Sequence, residues 1–134
     1  MALKIRRGDL EAILRHARES HPFEACGLLL GRRAGSDRIV EEARPARNLM
    51  KSPFEYRIDP EDLLKAFEEA ERRGLEIIGS YHSHPLCEPS WSQIDEERGE
   101  FWVGYSFLII SPSGRFISYV KEERGVREEK VEIF

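Results

Sequence analysis

Leu75-Glu76-Ile77-Ile78-Gly79-Ser80-Tyr81-His82-Ser83-His84 is the stretch on which the fold turns, an apolar run that ends in polar residues. It reads as a buried strand that emerges at its polar end. Just before it, Asp59-Pro60-Glu61-Asp62 is a strong helix start: Asp59 caps, Pro60 suits the first turn, and the acids suit the positive end of the helix dipole. Leu63, Leu64, Phe67 and Ala70 are expected to form the buried face of that helix, and Gly74 to end it.

Working outward, Leu10, Ile13, Leu14 and Ala17 fall at helical spacing after Asp9, which reads as an N-cap, and the pattern stops near His21-Pro22. Cys26-Gly27-Leu28-Leu29-Leu30-Gly31 is a short apolar run, and Ala34-Gly35-Ser36-Asp37 is turn chemistry that reverses the chain into residues 38 to 46. A second apolar strand runs from Ser106 to Ser111, and Pro112-Ser113-Gly114 turns it into alternating stretches near 115 to 121 and 126 to 134. No repeat, linker or low-complexity segment interrupts this order. Helices interleaved with strands and hairpins predict an α/β fold, a mixed β-sheet flanked by helices. With 134 residues, one domain spanning 1–134 is expected.

Composition narrows the function. With 40% hydrophobic and 34% charged residues the chain has the profile of a soluble globular protein, and no segment is apolar for long enough to cross a bilayer. Met1-Ala2-Leu3-Lys4-Ile5-Arg6-Arg7 has basic residues with no apolar block behind them, so no secretory signal and a cytoplasmic location are expected. A formal charge of -4 argues against nucleic acid as the partner. Mixed runs such as Glu68-Glu69-Ala70-Glu71-Arg72-Arg73 and Lys121-Glu122-Glu123-Arg124 read as solvated faces or ion-pair networks. Cys26 and Cys87 read as one buried thiol and one loop thiol, with a bridge between them left open.

The chemistry gathers between residues 82 and 95. Side chains two apart on a strand share a side, so His82 and His84 can converge on one ion while Ser83 faces away. Asp95, at the start of a helix suggested by Asp95-Glu96-Glu97-Arg98, can add a third, anionic ligand. Three protein ligands leave one position open, which marks a catalytic zinc rather than a structural one. Each part also has a plainer reading. Two nearby histidines suit a polar strand end, and Ser92-Gln93-Ile94-Asp95 suits a helix cap. The conjunction of paired histidines, a downstream Ser and Asp, and an acid ahead of an earlier strand favours the metal.

At these residues the sequence resembles the JAMM (MPN-plus) zinc metalloprotease family, whose motif is an upstream Glu, then His-x-His, seven residues, and Ser-x-x-Asp. Here His82-Ser83-His84 is followed by seven residues, Pro85 to Trp91, and then by Ser92 and Asp95. His21-Pro22-Phe23-Glu24-Ala25-Cys26-Gly27 is similar to the approach to the family's first strand, which carries the catalytic Glu. The resemblance implies a cytidine-deaminase-like architecture, one zinc held by His82, His84 and Asp95, Glu24 as general base, and Ser92 as hydrogen-bond donor to the oxyanion. It also implies an isopeptidase or peptidase acting after the Gly-Gly tail of a ubiquitin-like or sulfur-carrier protein. The alternatives are an amidase releasing an amino acid such as cysteine from a carrier-protein C-terminus, a non-catalytic MPN scaffold subunit, and a non-haem iron site sharing the ligand count. An extended Gly-Gly tail is expected to lie in a narrow groove and to add as a strand to an exposed sheet edge. Trp91 is read as lining that groove or packing its loop, and His16 and His21 as lying outside the ligand set.

Overall fold

In a computed structural model that describes residues 1–134, ten elements follow in order: β1 (Ala2–Ile5), α1 (Arg7–Ser20), β2 (Cys26–Ala34), β3 (Asp37–Ala46), α2 (Pro60–Arg72), β4 (Glu76–Ser83), α3 (Gln93–Arg98), β5 (Ser106–Ile110), β6 (Phe116–Lys121) and β7 (Val126–Ile133). Each expected strand and helix is present, and the sheet is mixed. β4 runs parallel to β5 and antiparallel to β2, while β5, β6 and β7 form a meander. No helix is long and apolar enough to cross a membrane.

β1 is the element that sequence reading missed. At four residues it is too short to display a period, yet Leu3 and Ile5 are fully buried. It pairs in parallel with both β3 and β7, so the sheet closes in the order β1-β3-β2-β4-β5-β6-β7. This corrects the expected exposed edge: every strand has two neighbours. The pairing of β1 with β3 covers only Arg38 and Ile39, which leaves the far part of β3 with an unpaired flank.

Helices cover both faces. α1 packs with Ile13 and Ala17 on Leu29, Ile78, Tyr81, Leu108 and Ile110. α2 packs with Ala66 and Ala70 on Leu28, Leu30 and Ile77. Here the expected buried face needs correction, because Leu64 is 62% exposed and Phe67 41% exposed. Small Ala66 and Ala70 allow α2 to approach the sheet closely, and residues one position further round the helix then turn outward. Asp9 is likewise not an N-cap. α1 begins directly after β1 with Arg6 at its cap, where the Arg7 N–H donates to the Phe134 carbonyl at 2.9 Å, and Asp9 sits in the first turn. Asp59 caps α2 as expected, accepting the Glu61 N–H at 2.8 Å.

Three further expectations resolve. Cys26 is buried, Cys87 is exposed, and both are free, so there is no bridge. His16, outside the ligand set, is half-buried on α1 with Nδ1 2.7 Å from the Tyr81 hydroxyl. Lys121 is not part of a solvated face; its side chain is fully buried against Glu96.

Candidate metal centre

The central position of β4 explains the burial of its histidines. His82 lies opposite Cys26 of β2 on one side and Ile109 of β5 on the other, and it has no exposed surface. The two-residue strand period puts His84 on the same side, with the two Nε2 atoms 3.3 Å apart. Ser83 faces the other way and accepts the Ala25 N–H at 2.8 Å.

Past the loop, Ser92 caps α3 in a reciprocal box: its hydroxyl oxygen accepts the Asp95 N–H at 3.0 Å, and its own N–H donates to Asp95 Oδ2 at 3.1 Å. The plain capping reading of Ser92 and Asp95 is therefore correct, and it sets the orientation of the Asp95 carboxylate. Oδ1 lies 3.1 Å from His82 Nε2 and Oδ2 lies 3.2 Å from His84 Nε2. The Ser92 hydroxyl hydrogen remains free to donate, because only the oxygen is used in the cap.

Glu24 reaches the same place from the approach to β2. Its N–H donates to the Ser52 carbonyl at 3.0 Å, and its carbonyl accepts from the Asn48 side chain at 3.0 Å. The carboxyl is buried, and Oε1 has no hydrogen-bond partner. One donor atom each from Glu24, His82 and His84 lie within 4.8 Å of one another. All four polar residues singled out for metal and base thus converge, and Ser92 borders them across a cavity of about 250 Å³ that Phe54, Leu86 and Cys87 also line. On its other side Glu24 borders a larger cavity of about 640 Å³, lined in part by Ala46, Asn48 and Met50.

The two carboxyls differ in state. Burial alone would raise Asp95, but the facing imidazoles of His82 and His84 outweigh it and hold this acid well below the usual carboxylate range. Burial pushes the His82 imidazole below its ordinary value, against the opposing pull of Asp95. Glu24 has no such partners. Burial first, and then the charges of Asp95 and Glu55, push its carboxyl up to about 9. A cation beside Glu24 acts in the opposite direction and favours its ionised form. The surroundings thus favour the ionised form of Asp95 and the protonated form of Glu24.

Two contributors escaped the sequence reading. Tyr56 is buried and stacks on His82, with ring centroids 4.5 Å apart and planes at 24°. Asn48 gathers its stretch of chain by accepting the Met50 and Arg57 N–H groups at 2.9 and 2.8 Å while its amide holds the Glu24 carbonyl. Both lie between β3 and α2, where no periodicity exists to mark them. Trp91 packs rather than lines a groove: its ring meets Phe107 edge-on at 5.2 Å.

Residues 7–122 match the family model described as prokaryotic homologs of the JAB domain. The chain is 41% identical over 115 residues to a desampylase of Haloferax volcanii, covering 81% of this chain and 80% of that protein. It is 40% identical over 93 residues to a CysO-cysteine peptidase of Mycobacterium tuberculosis, covering 69% of this chain and 62% of that protein. A protein from Desulfitobacterium hafniense with a known solution structure superposes with a TM-score of 0.89 at 36% identity, covering 98% of this chain and 92% of that one. With the His-x-His strand end, the capped Asp and the buried Glu assembled in one site, the chain belongs to the JAB-domain family of JAMM (MPN-plus) proteins, in its prokaryotic branch.

Proposed function

We propose that residues 1–134 form one JAMM catalytic domain, a cytoplasmic zinc-dependent isopeptidase or peptidase that hydrolyses the bond after the Gly-Gly tail of a ubiquitin-like or sulfur-carrier protein. One observation carries this reading: His82 Nε2 and His84 Nε2 lie 3.3 Å apart, the Asp95 carboxylate faces both with Oδ1 3.1 Å from the first and Oδ2 3.2 Å from the second, and Glu24 stands beside them. Tetrahedral zinc with bonds of about 2.0–2.1 Å to nitrogen and oxygen sets its ligand atoms roughly 3.3 Å apart. Two imidazoles and an ionised carboxylate also suit zinc by type, and three ligands leave a position open. The relatives named desampylase and CysO-cysteine peptidase support hydrolysis as the reaction class.

His82, His84 and Asp95 would hold the zinc, which when bound would supply Lewis acidity to acidify a water and polarise the scissile carbonyl. Glu24, ionised beside the cation, takes the proton of the attacking water and passes it to the leaving amine. The free hydroxyl hydrogen of Ser92 donates to the oxyanion as it forms. Tyr56 covers the face of His82 and keeps that ligand dry. An intact donor set is what a scaffold role does not need. The test is intact-mass analysis of a fusion in which a ubiquitin-like carrier ending in Gly-Gly is joined to a reporter. We expect a single cut directly after the second glycine; an uncut fusion, or a cut elsewhere, contradicts the reading.

A further inference from the structure

α3 carries Asp95 but has only six residues. A helix so short has no stability of its own, and its capping box ties it only to itself. Beyond the contacts of the Asp95 carboxylate itself, the residue after Asp95 fixes it against the sheet. Glu96 Oε1 accepts the Trp91 indole N–H at 3.0 Å, and Oε2 accepts the Gly125 N–H at 3.2 Å and lies 2.9 Å from the Lys121 ammonium. The Lys121 side chain is fully buried, and its ammonium also donates to the carbonyls of Glu122 and, at 3.4 Å, Gly125. All three ammonium donors are therefore used. Trp91 in turn sits edge-on to Phe107 of β5, and a Cβ on Gly99 at the end of α3 would come within 3.3 Å of both rings.

We propose that Lys121, Glu96 and Trp91 form a positioning clamp that sets Asp95 at ligand distance from His82 and His84. A buried ammonium is tolerated only while paired. Any drift of α3 away from β6 breaks that pair. Glu96 is adjacent to Asp95 in the chain, so the restraint passes to the ligand through one peptide unit. The first turn of α3 is thereby fastened to β5, β6 and the β6–β7 turn, elements that hold no ligand themselves. This inference rests on the reading of Asp95 as a metal ligand.

The test compares wild type with Glu96→Gln, Trp91→Phe and Lys121→Met, and with Glu97→Gln as a control for charge on the exposed side of α3. Zinc affinity is read by competition with a chromophoric chelator, cobalt geometry by the visible spectrum of the Co²⁺-loaded protein, and fold by thermal unfolding of the metal-free form. We expect Glu96→Gln and Trp91→Phe to unfold cooperatively, to bind zinc about 10- to 100-fold more weakly, and to shift the cobalt bands. Glu97→Gln is expected to match wild type. Folded Glu96→Gln and Trp91→Phe that bind zinc like wild type overturn the clamp, even if Lys121→Met fails to fold. Equal loss in Glu97→Gln overturns it as well, by assigning the effect to net charge. Wild type that binds no zinc would defeat the metal reading itself, a result distinct from either.

Discussion

Replacing Glu24 with Gln is expected to leave zinc bound and the fold intact while lowering kcat by about 10²- to 10⁴-fold, the usual contribution of a positioned general base. The amide keeps the size of the side chain but cannot accept the proton of the attacking water. Zinc is expected to stay because, in the proposed site, two imidazoles and Asp95 supply the ligand set without Glu24. Metal content and turnover measured on the same preparation decide the matter: zinc lost together with activity would make Glu24 a ligand instead. The substitution has a second signature in the chelated protein. Burial raises Glu24 from 4.5 to about 9, so the fold favours its neutral form. A raised acid stabilises the fold fully below its unfolded value, and that stabilisation is lost as pH rises through its folded value. The metal-free wild type should therefore lose stability between about pH 5 and pH 9 relative to Glu24→Gln, which has nothing to ionise. Asp95 contributes in the opposite sense, losing its stabilisation only on acidification, and it does so equally in both proteins.

A comparable loss is expected on the substrate side. Changing the penultimate glycine of a carrier tail to leucine should reduce kcat/KM by about a hundredfold, the scale that follows from displacing a reacting bond by roughly 1 Å. Glu24 is buried between two cavities, and the smaller is rimmed by Phe54 and Leu86 beside His84 and Ser92. A glycine backbone passes close to such walls, whereas a side chain there must push the scissile carbonyl away from Ser92 and the metal ligands. Substitutions on the leaving-group side should cost far less. Matched fusions differing at one position provide the comparison, and equal cleavage of the leucine tail would favour a general peptidase or a small-molecule amidase. With the sheet closed by β1, the far part of β3 still has an unpaired flank where a tail can add as a strand, and its end at Ala46 reaches the larger cavity.

The convergence of these side chains was legible in the sequence because short-range rules govern its pieces. His82 and His84 obey the strand period, and Ser92 and Asp95 obey the capping box. Glu24 differs, since its burial depends on the stretch from Asn48 to Tyr56, which has no pattern of its own. Long-range facts were likewise hidden. β1 closes the sheet through pairings with strands far away in sequence. Lys121 sits in a run of charges that looks solvated, yet it is buried because Glu96 meets it from another element. Leu64 and Phe67 satisfy helical spacing as well as Ala66 and Ala70 do, and only the close approach of α2 to the sheet selects the alanines.

The central claim is that one zinc at His82, His84 and Asp95 drives cleavage after a Gly-Gly tail. Its most direct test is a titration of zinc into chelated protein with the Gly-Gly fusion present, reading cut product by mass. No cleavage is expected without metal, then a rise that ends at about one equivalent, and no recovery at that level in a His82→Ala, His84→Ala double variant. Full cleavage by metal-free wild type, or by that double variant, would contradict it.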